Sequence, residues 1–185
     1  MENLHQRLDQ IVDKISQEDF LQNKGLSNEV GFYVFCYEPK DEMVVRHFVK
    51  QLATDKSHGF RVIEKDLYEV LLEICQDKKV LSGVASLEAK KGKNHLLEQL
   101  QKVATPDDYI KRMTYEPHLP GDVLVLTGVG KVYPFMRSHK ILDNLQHVFP
   151  DIPVIMFYPG IYDGQTLNLF GKFIDANYYR AFNFI

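Results

Sequence analysis

Residues 122–139, DVLVLTGVGKVYPFMRSH, set the tightest limit on the fold: an apolar run with no polar alternation ends in Thr127-Gly128-Val129-Gly130-Lys131 and passes into a helix-like segment. A strand that is apolar on both faces needs a layer of structure over each, which is the situation of a parallel sheet. The run 30–37, VGFYVFCY, has the same character and ends at Glu38-Pro39. Both segments resemble strands that deliver loops to a ligand-binding rim. The glycines do not form a phosphate loop, because G-x-x-x-x-G-K-[ST] would need a glycine where Val125 stands and a hydroxyl where Val132 follows the lysine.

The rest of the chain fits an α/β pattern. Leu4, Leu8, Ile11, Val12 and Ile15 fall on one helical face. After the first strand, Asp41 and Glu42 open a helix with Val45, Phe48, Val49 and Leu52 as its stripe, and a short strand follows at 60–63. A helical insertion is expected over about 66–115: Asp66-x-x-Glu69 reads as a capping box, Thr105-Pro106-Asp107-Asp108 as a second helix start, and Lys90-Lys91-Gly92-Lys93 as a solvated break between helices. Strands then recur at 122–127 and 154–158, separated by a helix carrying Ile141, Leu142, Leu145 and Val148. Pro159-Gly160 and Tyr162-Asp163-Gly164 read as turns, and 178–185 as a last strand at an edge. The expected fold is a single α/β domain over 1–185, with a mostly parallel sheet of about five strands flanked by helices.

Composition narrows the functional classes. The 185 residues suffice for a core without crosslinks, and the two cysteines, Cys36 and Cys75, lie in apolar contexts and read as buried thiols of a reducing compartment. Charges begin at the N-terminus and no apolar run approaches the ~18 residues that span a bilayer, so a cytoplasmic protein is expected. A net charge of −3 with 22 basic residues dispersed among 25 acidic ones argues against direct nucleic-acid binding. The aromatics, 12% of the chain with no tryptophan, concentrate after residue 156 and mark a core edge or a contact surface.

In an open parallel sheet, ligands bind beyond the carboxyl ends of the strands. The loops 37–41, 127–139 and 158–164 occupy that rim and offer Lys40, Asp41, Lys131, Tyr133, Arg137, Ser138, His139, Tyr158, Tyr162 and Asp163. The turn at 128–131 could present N–H groups to an anion, with Gly128, Gly130, Lys131 and Arg137 as ligand-binding residues; the competing reading gives the glycines to a tight strand-to-helix connection. Ser138 and His139 are adjacent and do not face each other as nucleophile and base, and Ser138 reads as a helix cap. His139 and His147 lie too far apart for one metal site. Glu38, Asp41, Glu42, Glu64 and Asp66 sit at expected helix starts, and no set of carboxylates converges as a metal-dependent nuclease requires. No catalytic residue, metal or cofactor is expected.

Several blocks, in order, carry a resemblance to a known family: Gly31-Phe-Tyr-Val-Phe35, Asp66-Leu-Tyr-Glu69, the run TGVGKVYPF with Arg137-Ser-His139, Asn144-Leu-Gln146, Pro159-Gly160, Tyr162-Asp-Gly164 and Asn177-Tyr-Tyr-Arg-Ala-Phe182. Over nearly its whole length the chain resembles the BrxB family, a small component of bacterial BREX phage-resistance systems. The resemblance implies a cytoplasmic, non-enzymatic accessory protein that binds the PglZ-type alkaline-phosphatase-superfamily protein. The AAA+ ATPase and DNA methyltransferase of the system are further implied partners. It also implies a P-loop NTPase-like core lacking its phosphate loop, and Tyr37-Glu-Pro-Lys-Asp-Glu42 indeed offers no glycine to cradle phosphate. Tyr178, Tyr179 and Arg180 are the expected partner contacts, since tyrosine and arginine are favoured interface anchors. An anion- or nucleotide-sensing domain and a DNA-binding or nuclease subunit are the alternatives.

Overall fold

A computed structural model describes residues 3–24, 31–145, 147–175 and 181–185. Helices α1 (Leu4–Ile15) and α2 (Glu18–Leu21) precede strand β1 (Phe32–Tyr37). A 3₁₀ turn, Pro39–Asp41, leads into α3 (Glu42–Thr54) and then β2 (Arg61–Asp66). Helices α4 (Leu67–Asp77), α5 (Val84–Val103) and α6 (Pro106–Met113) intervene before β3 (Asp122–Thr127). Helices α7 (Val129–Val132) and α8 (Ser138–Leu145) lead to β4 (Val154–Tyr162), and the chain closes with β5 (Leu167–Leu169), β6 (Phe173–Asp175) and β7 (Phe182–Asn183).

Four strands and the short β7 run parallel in the order β2-β3-β4-β1-β7. All six residues of β3 are buried, as its unbroken apolar sequence requires. Their side chains divide by alternation: Leu124 and Leu126 pack with α4, α6, α7 and α8, while Val123 and Val125 pack with α1 and α3. The sheet is therefore a middle layer between two sets of helices.

Capping residues fix where several helices begin. Asn3 and Gln6 exchange hydrogen bonds of 2.9 and 3.1 Å at the start of α1, and Thr105 with Asp108 does the same for α6, with Pro106 in the first turn. Gly92, at φ +82°, breaks α5 into two helical pieces, as the KKGK segment suggested.

Three expectations need correction. Glu64, Lys65 and Asp66 belong to β2, in register with Val125, Leu126 and Thr127, although their polarity reads as a helix start. A strand with one well-covered neighbour tolerates such side chains, and only Asp66 also acts as the α4 cap. Pro159-Gly160 is not a turn: β4 continues through it to Tyr162 and then pairs antiparallel with β5, which pairs with β6. The glycine is required there because a Cβ on Gly160 would lie 2.2 Å from the Asn168 carbonyl oxygen. The single helix expected after Lys131 is two, α7 and α8, separated by residues 133–137.

Candidate functional site

Parallel pairing puts the carboxyl ends of β1, β4, β3 and β2 on one rim. The helix after β1 covers one face and the helices after β3 cover the other, so the chain's connections diverge around β4. This is the geometry in which a sheet opens a crevice beyond its strand ends.

At β1 the rim is closed by its own polar contacts. The Tyr37 hydroxyl donates to Glu42 Oε2 at 2.6 Å, and burial with that hydrogen bond pushes the phenol well above its ordinary range. Lys40 pairs with Glu38 at 2.7 Å on the surface.

At β3, Gly128 adopts φ +72° as the cap of α7, and a Cβ there would lie 2.2 Å from Asp66 Oδ1. Gly130 is close-packed as well: a Cβ would meet the Phe170 ring at 2.9 Å and Pro159 at 3.1 Å. Lys131 reaches toward β2, where its ammonium pairs with Asp66 Oδ2 and sits 5.8 Å from the centre of the Tyr68 ring. The Thr127 hydroxyl donates to Glu64 Oε1 at 2.8 Å beside them.

Arg137 lies elsewhere. It lines a cleft of about 260 Å³ between α7, the start of α8 and the β5–β6 hairpin. Val129, Tyr158 and Leu169 are its buried floor, Tyr133 and Phe173 its aromatic wall, and Arg137, Ser138, Lys172 and Ile174 complete the lining. The Tyr133 and Phe173 ring centres are 5.0 Å apart at 35°, and Phe170 meets Phe173 edge-on at 6.4 Å.

The four proposed anion ligands thus divide: Gly128 and Lys131 lie with Asp66, Gly130 packs against Phe170 and Pro159, and Arg137 lines the cleft. Tyr133, Ser138 and Tyr158, three residues of the expected rim, join Arg137 there. Asp163 instead orders a turn, accepting from the N–H groups of Gln165 and Thr166 at 2.8 and 2.7 Å, and the Tyr162 hydroxyl donates to the Ala181 carbonyl at 2.8 Å. Tyr178, Tyr179 and Arg180 lie outside the described residues. Phe173 was one of the late aromatics expected at a core edge or contact surface, whereas Lys172 is a cleft residue that sequence reading missed, because β5 and β6 are each only three residues long.

Among the described residues, no group of three or more histidine, cysteine or acidic side chains could hold a metal ion. No helix among them is long and apolar enough to cross a membrane.

The family model for BREX protein BrxB matches residues 63–184, which include the β2–β3 rim, the cleft and the antiparallel extension. The chain belongs to the BrxB family. A BREX protein BrxB from Bacillus cereus (strain H3081.97) is 44% identical over 192 residues, covering 100% of this chain and 99% of the relative. A BREX protein BrxB from Escherichia coli O9:H4 (strain HS) is 32% identical over 190 residues, covering 98% and 92%. BrxB membership marks the chain as a BREX-system component. No solved structure matches it.

Proposed function

We propose that this chain is a non-enzymatic assembly subunit of a BREX phage-defence system that binds the system's PglZ-type alkaline-phosphatase-superfamily protein. The observation that carries the reading is an exposed apolar face on the antiparallel extension. Ile161 and Ile174 both stand in register with Asn168, which places them on one face of the three-stranded sheet β4-β5-β6, and they are 60% and 71% exposed. β6 pairs only with β5 among the described strands. It leads directly into 176–180, where Tyr178, Tyr179 and Arg180 supply the residue types that anchor interfaces.

The strand order, with β1 between β4 and the last strand, supports a P-loop NTPase-like core. In place of a phosphate loop, β1 is followed by the 3₁₀ turn and its carboxylates, which suits a scaffold better than an NTPase. The AAA+ ATPase and the methyltransferase of the system are further partners in this reading, through surfaces other than the extension.

Co-expression with the PglZ-type protein of the same system, followed by size-exclusion chromatography with light scattering, tests it. A complex of defined mass is expected, weakened at least tenfold by Ile161→Asp with Ile174→Asp and by alanine at Tyr178, Tyr179 and Arg180. Two separate peaks for the unsubstituted pair would overturn the partner assignment. A complex indifferent to both sets of substitutions would overturn the surface.

A further inference from the structure

We propose that the cleft between α8 and the β5–β6 hairpin binds a phosphate monoester carried on a planar ring, in size and chemistry a nucleoside monophosphate. The inference goes beyond the assembly role and does not rest on it.

Charge is the first observation. Several described cations elsewhere are paired, Lys131 with Asp66, Lys78 with Asp108, Arg112 with Glu73 and Asp77, and Arg61 with Asp122, and Arg46, Lys65 and Lys111, unpaired among the described residues, line pockets that also hold carboxylates. Arg137 and Lys172 line one cleft with no carboxylate among its described lining residues, and neither has an ion-pair partner among the described residues. Two cations lining one cleft make a positive field that favours an anion. A phosphate monoester carries nearly two negative charges at neutral pH and matches the pair better than a single carboxylate does. Arginine adds a planar fork for two phosphate oxygens, and lysine a point charge.

Shape is the second. Tyr133 and Phe173 make one continuous aromatic wall, with ring centres 5.0 Å apart, beside the buried ring of Tyr158. Such a surface holds a planar base by stacking whatever its identity. The volume of about 260 Å³ is just under the range of drug-sized ligand sites, which begin at roughly 300 Å³, and suits a mononucleotide with one edge in solvent. Ser138, the first residue of the eight-residue α8, lies in the lining, so the positive helix end adds to the same field.

Of the GVGK turn only Val129 lines this cleft. Lys131 is already neutralised by Asp66, and it is not among the residues that line the cleft.

The test is calorimetric titration of the full chain, alone and at low ionic strength, with AMP, GMP, CMP and dTMP, with sodium phosphate, and with a short 5′-phosphorylated oligonucleotide. At least one monophosphate should bind saturably and at least tenfold more tightly than inorganic phosphate. Arg137→Ala and Lys172→Ala should each weaken it tenfold or more without moving the unliganded melting temperature, since both side chains are exposed. Phe173→Ala should weaken the monophosphate and leave phosphate unchanged. A tighter oligonucleotide than free monophosphate would name a strand end as the source of the ligand, and the reverse a free nucleotide. No saturable binding, or binding that survives the Arg137→Ala, Lys172→Ala double variant, would overturn the site. Equal affinity for phosphate and monophosphates would overturn the ring-binding wall.

Discussion

Asp66 holds Lys131 with one carboxylate oxygen and caps α4 with the other. Oδ2 is the partner of the lysine ammonium, while Oδ1 accepts from the backbone N–H groups of Tyr68 and Glu69 at 2.9 and 3.3 Å. One side chain therefore ties β2, α4 and α7 together at the rim. Asp66→Ala should cost about 1–2 kcal/mol through the lost cap. Lys131→Ala should cost less, about 0–1 kcal/mol, because its end is partly solvated. Asp66→Asn keeps a cap oxygen and loses the ion pair, so it should fall between them. Urea unfolding midpoints measure all three, and a larger loss for Lys131→Ala than for Asp66→Ala would refute this division of labour.

Gly128 makes the same junction sensitive to a single methyl group. Its φ of +72° carries a left-handed penalty of roughly 1–2 kcal/mol for any L side chain. An added Cβ would also enter the Asp66 carboxylate, 2.2 Å from Oδ1. Gly164 has φ +93° and nothing within 4 Å of its Cβ position, so Gly164→Ala meets the backbone strain alone. Gly128→Ala should lower the melting temperature clearly more than Gly164→Ala. Equal shifts would mean that the Asp66 contact relaxes freely.

Asp108 gives the protein an acid limb. Burial works against its ionisation, but Lys78 at 2.7 Å and the Thr105 hydroxyl and N–H outweigh it and hold the carboxyl at about 2 against an ordinary 3.8. A carboxyl with a depressed folded value stabilises fully above its unfolded value, and that contribution is lost as pH falls from about 4 toward 2. Asp122, held down by Arg61, Leu119 and Tyr115 against its own burial, adds in the same direction. Stability measured by denaturant between pH 5 and pH 2 should decline, and Asp108→Asn should flatten part of that slope. An unchanged slope would remove Asp108 from the account.

The parallel core was legible because β1, β3 and β4 advertise burial on both faces through unbroken apolar runs. Caps at Thr105 and the break at Gly92 were legible because Thr-Pro-Asp-Asp and a glycine among lysines each have a local physical meaning. The antiparallel extension was not. Pro159-Gly160 has the chemistry of a turn, and only the approach of the Asn168 carbonyl, ten residues beyond Tyr158, explains the glycine inside a strand. The candidate site divided for a similar reason. Lys131 and Arg137 are close in sequence, but the choice between Asp66 and the cleft depends on β2 and on a hairpin whose strands are too short to carry a pattern.

Both thiols should be silent in the folded protein. Burial pushes the Cys36 thiol up to about 12, with the Arg7 guanidinium and a backbone hydrogen bond at Tyr162 acting in the opposite direction. Cys75 is raised by burial too, against Lys78. At pH 8 the thiolate fraction of Cys36 is then on the order of one part in ten thousand, and the thiolate is the form that attacks a disulfide reagent. Ellman's reagent should therefore find almost no reactive thiol in native protein and both thiols in guanidinium chloride, with a native rate that follows local opening rather than reagent concentration. Arg7 also donates to the Cys36 carbonyl at 2.8 Å and lies over the Phe35 ring at 4.6 Å, which holds α1 against β1 on the face opposite the Cys36 side chain. Arg7→Ala should therefore loosen α1 without raising the Cys36 rate, because it also removes a charge that favours the thiolate. Rapid labelling of Cys36 in the unsubstituted protein would show that the packing on its own face of β1 opens readily.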